Sequence, residues 1–216
     1  MAHARQTAIV EPKRRNPVTT HRFTAAVRIT ATAAVAACTL VGAAPAAAQQ
    51  LPPEGFLCCN LRSDGSWASD ANYQEGGKQI IAAGTPVKPL GFGRYRVNVE
   101  INGAKQSIGN DYSRNLPMEQ FAQRWIVTAD PKAEMAKWPA KVQQAVKSAR
   151  VMTGMTRQQV FTALGYPMAD ENPNLDAPML RYWLSSFAEF QVMFDDAGKV
   201  KEIMTDPMTK NVVVMP

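Results

Sequence analysis

Residues 153–167, Thr-Gly-Met-Thr-Arg-Gln-Gln-Val-Phe-Thr-Ala-Leu-Gly-Tyr-Pro, constrain the fold more tightly than any other stretch, because both ends of a helix are written into them. Thr156 is placed to accept a hydrogen bond from an early backbone N–H, and Gln159, three residues on, can reach back to the N–H of Thr156. Met155 before this capping box and Val160 after it form a hydrophobic staple. Val160, Phe161 and Leu164 make one apolar face, and Gly165 followed by Pro167 stops the helix. The stretch is read as the organiser of the C-terminal domain, and none of its marks points to chemistry.

The first quarter of the 216-residue chain has a different composition from the rest. Residues 1–28 hold Arg5, Lys13, Arg14, Arg15, Arg22 and Arg28 against the single acid Glu11, and residues 29–53 carry no charge. A basic segment, an Ala- and Val-containing apolar stretch and Ala46-Ala47-Ala48 before Gln49 match an export signal spanning residues 1–48. Val35-Ala36-Ala37-Cys38 resembles a bacterial lipobox and makes Cys38 the alternative processing point, as a lipidated first residue. Residues 29–48 are long enough to cross a bilayer, but Ala and Thr dominate them and Pro45 interrupts them, which favours a removed signal over an anchor. Arg14-Arg15 is followed by Asn16-Pro17, a poor fit to a twin-arginine signal.

Export changes the chemistry available. Taking the six basic residues and one acidic residue of the leader from the chain's 24 and 18 leaves 18 against 17, so the basic character belongs mostly to the leader. A nearly neutral remainder lacks the electrostatic footprint of a nucleic-acid binder. Both histidines, His3 and His21, lie in the leader. Without imidazole, a Ser-His-Asp triad, a Cys-His pair and a histidine-ligated metal are excluded from the exported chain. The expectation is a non-enzymatic protein with no catalytic residue, metal or cofactor.

Residues 54–114 read as a small β-barrel of five or six short strands: 56–62, 67–73, 78–81, 86–90 and 94–101. Ser63-Asp64-Gly65-Ser66 and Ala83-Gly84-Thr85 mark turns, Gly91-Phe92-Gly93 and Asn102-Gly103 bracket the last of these strands, and Asn-Gly is the favoured type I′ hairpin pair. Tyr95, Val97, Val99 and Ile101 alternate with polar residues, the signature of a half-buried strand. Residues 115–148 read as a helical connector. Met118, Phe121 and Trp125 form one stripe, Asp130-Pro131 is a helix start, and Val142 and Val146 lie four apart. Residues 179–185, 188–194 and 199–205 are three strands, with Asp195-Asp196-Ala197-Gly198 as a hairpin turn, and residues 207–216 are a tail or an edge strand.

The run Ile80-Ile81-Ala82-Ala83-Gly84-Thr85-Pro86-Val87-Lys88 resembles bacterial SH3-like domains. That resemblance implies a groove for peptides or cell-wall fragments, with Trp67, Tyr73, Phe92, Tyr95 and Tyr112 as the aromatics available to line it. The pattern Gly154-Met155-Thr156, Gln159-Val160, Leu164-Gly165, Pro167, then Arg181-Tyr182-Trp183, then Val192, Phe194-Asp195, Gly198 and Val200, resembles the SmpA/OmlA (BamE-like) domain over residues 140–206. That likeness implies two helices packed on a three-stranded antiparallel sheet, and a docking module of the outer-membrane protein assembly machinery. The fold class expected is therefore α+β: an SH3-like barrel, a helical connector and a BamE-like α+β domain over residues 149–206.

Four other features invite chemistry. Cys58-Cys59, read in a strand, would point its thiols to opposite faces, one into the core and the other free or available to another chain. Asp170, Asn172, Asn174 and Asp176 have the spacing of a calcium loop but lack its glycine and terminal glutamate. The methionines form no dense Met-x-x-Met cluster for copper(I) and read as core filler. Asp195 and Asp196, at a hairpin tip, are too exposed to split their pKa values for acid–base work. The remaining candidate site is a partner-binding surface at Trp67, Asn110, Asp111, Tyr112 and Arg114. The expected function is binding or scaffolding in the periplasm, or on the periplasmic face of the outer membrane, of a Gram-negative cell. Its expected partners are envelope proteins or peptidoglycan, with any membrane attachment through a lipid anchor or a partner. A cell-wall-acting enzyme or an enzyme inhibitor is the alternative.

Overall fold

The computed structural model describes residues 50–216, so the signal segment 1–48, the stretch 29–48 and Cys38 lie outside the described residues. The chain runs β1 (Gly55–Leu57), β2 (Leu61–Ser63), β3 (Trp67–Ser69), β4 (Gln79–Ile81), β5 (Pro86–Gly93), β6 (Arg96–Ile101) and β7 (Ala104–Gly109). It continues through α1 (Met118–Trp125), β8 (Ile126–Val127), α2 (Lys132–Met135), α3 (Ala140–Lys147) and α4 (Arg157–Leu164). The last elements are β9 (Met179–Ser185), β10 (Ala188–Phe194), β11 (Val200–Met204) and α5 (Pro207–Val213). The class is α+β: a six-stranded mixed half-barrel in the order β3-β7-β6-β5-β1-β8, short helices, then an antiparallel sheet β11-β10-β9 with a C-terminal helix. Strands β2 and β4 pair apart from both sheets. Among the described residues no helix is long and apolar enough to cross a membrane.

The half-barrel is anchored on the alternation of β6, where Val97, Val99 and Ile101 are buried against Leu57, Leu61, Val87 and Ile108. Asn102 and Gly103 both take positive φ, 53° and 77°, as a type I′ turn between β6 and β7 requires. Tyr95 leaves the pattern: it sits in the β5–β6 turn and is exposed. Gly91-Phe92-Gly93, expected to be a turn, instead carries β5 to its end past an irregularity between Pro89 and Gly91. The stripe Met118, Phe121, Ala122 and Trp125 buries α1 in the same core.

Several expectations are corrected here. Residues 56–62 are not one strand, because the backbone between β1 and β2 spends its donors elsewhere. Cys58 N–H donates to Trp125 O and Asn60 N–H to Thr162 O, each at 2.9 Å. Cys58 and Cys59 therefore lie in a bend, not a strand, and are disulfide-bonded to each other rather than facing opposite ways. The connector is not all helix, since the β-branched pair Ile126-Val127 forms β8 and pairs with β1. Residues 207–213 are α5, not a tail or edge strand. The Asp206 carboxylate caps the helix by accepting from Met208 N (2.8 Å) and Thr209 N (3.0 Å), with Pro207 at the first helical position.

Helix α4 has the expected capping box, with Thr156 N donating to Gln159 Oε1 at 2.9 Å and Gln159 N donating to Thr156 Oγ1 at 3.3 Å. Met155 and Val160 are fully buried in the C-terminal core with Leu180, Val192 and Val146. The far end of α4 meets the half-barrel. Asn60 Nδ2 donates to Val146 O (2.6 Å) and Ala163 O (3.0 Å), while its Oδ1 accepts from Ala83 N (3.0 Å). Asn72 Nδ2 donates to Asn60 O (3.0 Å) and Leu164 O (2.7 Å), and its Oδ1 accepts from Arg62 N (2.6 Å). Two buried amides from the first module thus bind last-turn carbonyls: those of Ala163 and Leu164 are groups that α4 cannot pair within itself, whereas Val146 O of α3 also accepts from Ala149 N at 2.9 Å. Gly165 makes the approach feasible. Its φ is 87°, and a β-carbon there would come within 2.9 Å of Trp125 and 3.2 Å of Asn72 Nδ2.

Candidate functional site

The segment 110–114 closes one end of the half-barrel and is built around Asp70. This buried carboxylate accepts from Asp111 N at 3.1 Å, from Tyr112 N at 3.2 Å and from Ser69 Oγ at 3.3 Å. Burial pushes its pKa above the usual carboxylate value, the Ser113 hydroxyl and the Tyr112 and Asp111 N–H groups pull the other way, and the neighbouring Asp111 carboxylate adds to the rise. Asp70 is thereby a positioning group for the turn that displays Tyr112. The turn chemistry around residues 69–72 was its only sequence signal.

The turn, β3 and the Tyr73–Lys78 segment enclose an open cleft of about 430 Å³ lined by Trp67, Tyr73, Glu75, Asp111, Tyr112 and Arg114, together with Ser69, Lys78 and Ser186. Four of the five sequence candidates meet there. The fifth, Asn110, is a correction: it is 1% exposed, its N–H donates to Tyr95 O at 2.8 Å, and its side chain faces Leu116 O and the Met118 sulfur, so it holds the loop and cannot touch a partner. Phe92 packs toward the half-barrel core and Tyr95 lies outside the cleft, so neither contributes.

Aromatic and charged groups interleave along this cleft. The Tyr73 and Tyr112 rings lie 6.0 Å apart at 50°, and burial together with Tyr112 pushes the Tyr73 phenol up to about 12, keeping it a neutral donor. The Trp67 ring is flanked by Lys78 Nζ at 5.4 Å and the Arg96 guanidinium at 5.8 Å, and Lys78 also pairs with Glu75 at 2.8 Å. Arg114 lies over the Tyr95 ring at 4.6 Å. Trp67 Nε1 and Asp111 Oδ2 are buried without a hydrogen-bond partner among the described residues. Both crowd against Gly109, where a β-carbon would contact Asp111 Oδ2 and lie 3.0 Å from Trp67 Nε1. What the cleft presents to a ligand is the exposed Tyr112 ring and the charged groups around Trp67, the unpartnered Trp67 Nε1 and Asp111 Oδ2 being buried behind it against Gly109.

Ser186 enters from the β9–β10 turn of the C-terminal module, and Gln74 N donates to Leu184 O at 2.9 Å just behind it. Neither residue was singled out by the sequence, since only the docking of the modules brings residue 186 beside residue 73. Next to Ser186 stands Phe187, 98% exposed at the hairpin tip. The Asp170–Asp176 loop spends its side chains internally. Asn172 binds Met168 O, Arg181 O and Arg181 N, Asp170 accepts from Asn115 N, and Asn174 accepts from Asp176 N. Asn172 and Asn174 thus act as side chains that hold the loop. Asp195 takes the N–H groups of Ala197 and Lys199, as a turn residue does.

Comparison of the chain with protein-family models, curated proteins and solved structures returns no match.

Proposed function

We propose that the protein is a non-enzymatic binding or scaffold protein of the Gram-negative envelope, working in the periplasm or against the periplasmic face of the outer membrane. In this reading the half-barrel is a variant SH3-like module, and α3, α4 and the β9–β11 sheet form a BamE-like docking domain. The observation that carries the proposal is the cleft shared by Trp67, Tyr112 and Ser186: exposed tyrosine and interleaved charge in one concave surface. The leader-like composition of residues 1–48 and the two family resemblances supply the compartment. Envelope proteins and peptidoglycan are the partners.

The test has two arms. The purified protein is co-sedimented with isolated peptidoglycan, and a photo-crosslinking residue at position 112 is activated in intact envelopes. Trp67→Ala or Tyr112→Ala should weaken sedimentation or crosslinking about tenfold while the unfolding midpoint stays put, the behaviour of a binding aromatic rather than a core one. Wild-type retention in both variants would remove the cleft from the proposal. A second reading, a cell-wall-acting enzyme, draws on Glu75 and Asp111 both lining the cleft. It requires release of soluble fragments from peptidoglycan that Asp111→Asn abolishes.

A further inference from the structure

A second concavity lies at the seam between the modules, apart from the Trp67 cleft. Its volume is about 280 Å³, near the lower end of small-molecule sites. Each wall comes from a different part of the chain. The Cys58–Cys59 disulfide supplies a polarizable sulfur wall from the bend after β1. Phe161 on α4 and Tyr166 beyond it stack at 4.7 Å and 24°, with the Arg124 guanidinium over the Tyr166 ring at 5.4 Å. Trp138 closes the pocket from the segment between α2 and α3.

Charge at the pocket is mixed: the lining itself carries acidic groups, and the Arg124 guanidinium lies over the Tyr166 ring that forms one wall. Asp130 and Glu134 are its only ionisable side chains besides Tyr166, and it includes no lysine or arginine. Glu134 is ion-paired with Lys137 at 2.9 Å, whereas the hydrogen bond recorded for Asp130 comes from the Lys132 backbone N–H at 2.9 Å. The Asp130 carboxylate thus has no ion pair among the described residues, and it lines the same pocket as Phe161, Tyr166 and Trp138. Aromatic faces and a carboxylate attract the same kind of group, an organic cation.

We propose that this seam pocket binds a small organic cation with a flat or aromatic body. The ring packs between the disulfide and the Phe161, Tyr166 and Trp138 side chains, and the ammonium group turns toward Asp130. Because the walls belong to both modules, the occupant also clamps α4 onto the bend that carries Asn60. Binding to the folded form alone must then raise the unfolding temperature.

Phenethylamine and phenylacetate share a ring and chain length but carry opposite charge, so the pair isolates the charge term. Each is titrated calorimetrically into the full chain, and the unfolding midpoint is followed in parallel. The expected result is about tenfold tighter binding of phenethylamine, the scale of one partly buried charge contact. Asp130→Asn should erase that preference without moving the ligand-free midpoint, Phe161→Ala should weaken both probes, and Tyr112→Ala in the other cleft should change neither. Equal affinities for the two probes, no saturation by phenethylamine up to about 10 mM, or a preference that survives Asp130→Asn would each overturn the assignment. If Phe161→Ala fails to fold, Trp138→Ala serves in its place, with the same weakening required. Loss of peptidoglycan or envelope-protein binding at Tyr112 leaves this outcome untouched, since the two sites share no lining residue.

Discussion

The two modules bury different things. Among the described residues, nine of the twelve buried polar or charged residues lie between Asn60 and Ser113, and Thr162, Asn172 and Thr209 lie beyond. The C-terminal core is otherwise a contact of apolar faces around Val160, Leu180 and Val192. Buried polar groups are costly unless paired, and each must be paired by something specific. In the first module those pairings tie β2 to helix ends and Asp70 to the display loop. The contrast teaches that the half-barrel spends its interior on positioning, whereas the second module spends its interior on stability.

The largest test of that contrast is Asn60→Ala. It strands the carbonyl of Ala163 and the N–H of Ala83 in the seam and removes the Asn60 bond to Val146 O, and should cost about 3 kcal/mol. Urea unfolding followed separately by tryptophan fluorescence and circular dichroism should show the two signals parting as the modules uncouple. One coincident transition at the wild-type midpoint would erase the proposed division of labour. Gly165→Ala attacks the same seam sterically, through a positive φ and the 2.9 Å approach to Trp125, and should cost about 2 kcal/mol by thermal denaturation. Thr156→Ala removes a local cap inside the second module and should cost about 1 kcal/mol without separating the two signals. A separation there would show that the capping box also serves the seam.

The smallest expected effect is the pH dependence from Asp70. Its folded pKa is raised above the unfolded value near 3.8, so the folded state holds that proton more tightly. The contribution of Asp70 is therefore most favourable below the unfolded pKa and falls as pH rises toward the folded value, then levels. Asp70→Asn retains an acceptor for Asp111 N and Tyr112 N and should flatten that fall in a series of urea midpoints across the acid range. A variant as steep as the wild type would place the titration elsewhere.

Legibility in the sequence followed the range of the interactions. The α4 capping box, the Asn102-Gly103 turn, the Asp195–Gly198 turn and the β6 alternation each complete themselves within a few residues, and each is present. Asp206-Pro207 repeats the Asp130-Pro131 dipeptide, and where residues 207–216 were expected to be a tail or edge strand the Asp206 carboxylate caps α5 through Met208 N and Thr209 N. At the candidate site, Trp67, Asp111, Tyr112 and Arg114 were visible as a polar run and an aromatic. Asp70 and Ser186 were not, because their roles come from residues about 40 and more than 100 positions away.

The sequence by itself determined the leader-like first quarter, the lack of histidine after residue 21, the marked ends of α4, and the alternation that buries β6. Tertiary structure alone decided that Ile126-Val127 joins the half-barrel, that Asn60 and Asn72 finish the end of α4, and that both clefts draw their walls from distant segments. The physical reason is the origin of the free energy. Caps and turns are satisfied by groups a few bonds away, whereas a helix's last carbonyls and a cleft's facing walls acquire partners only after the chain has packed.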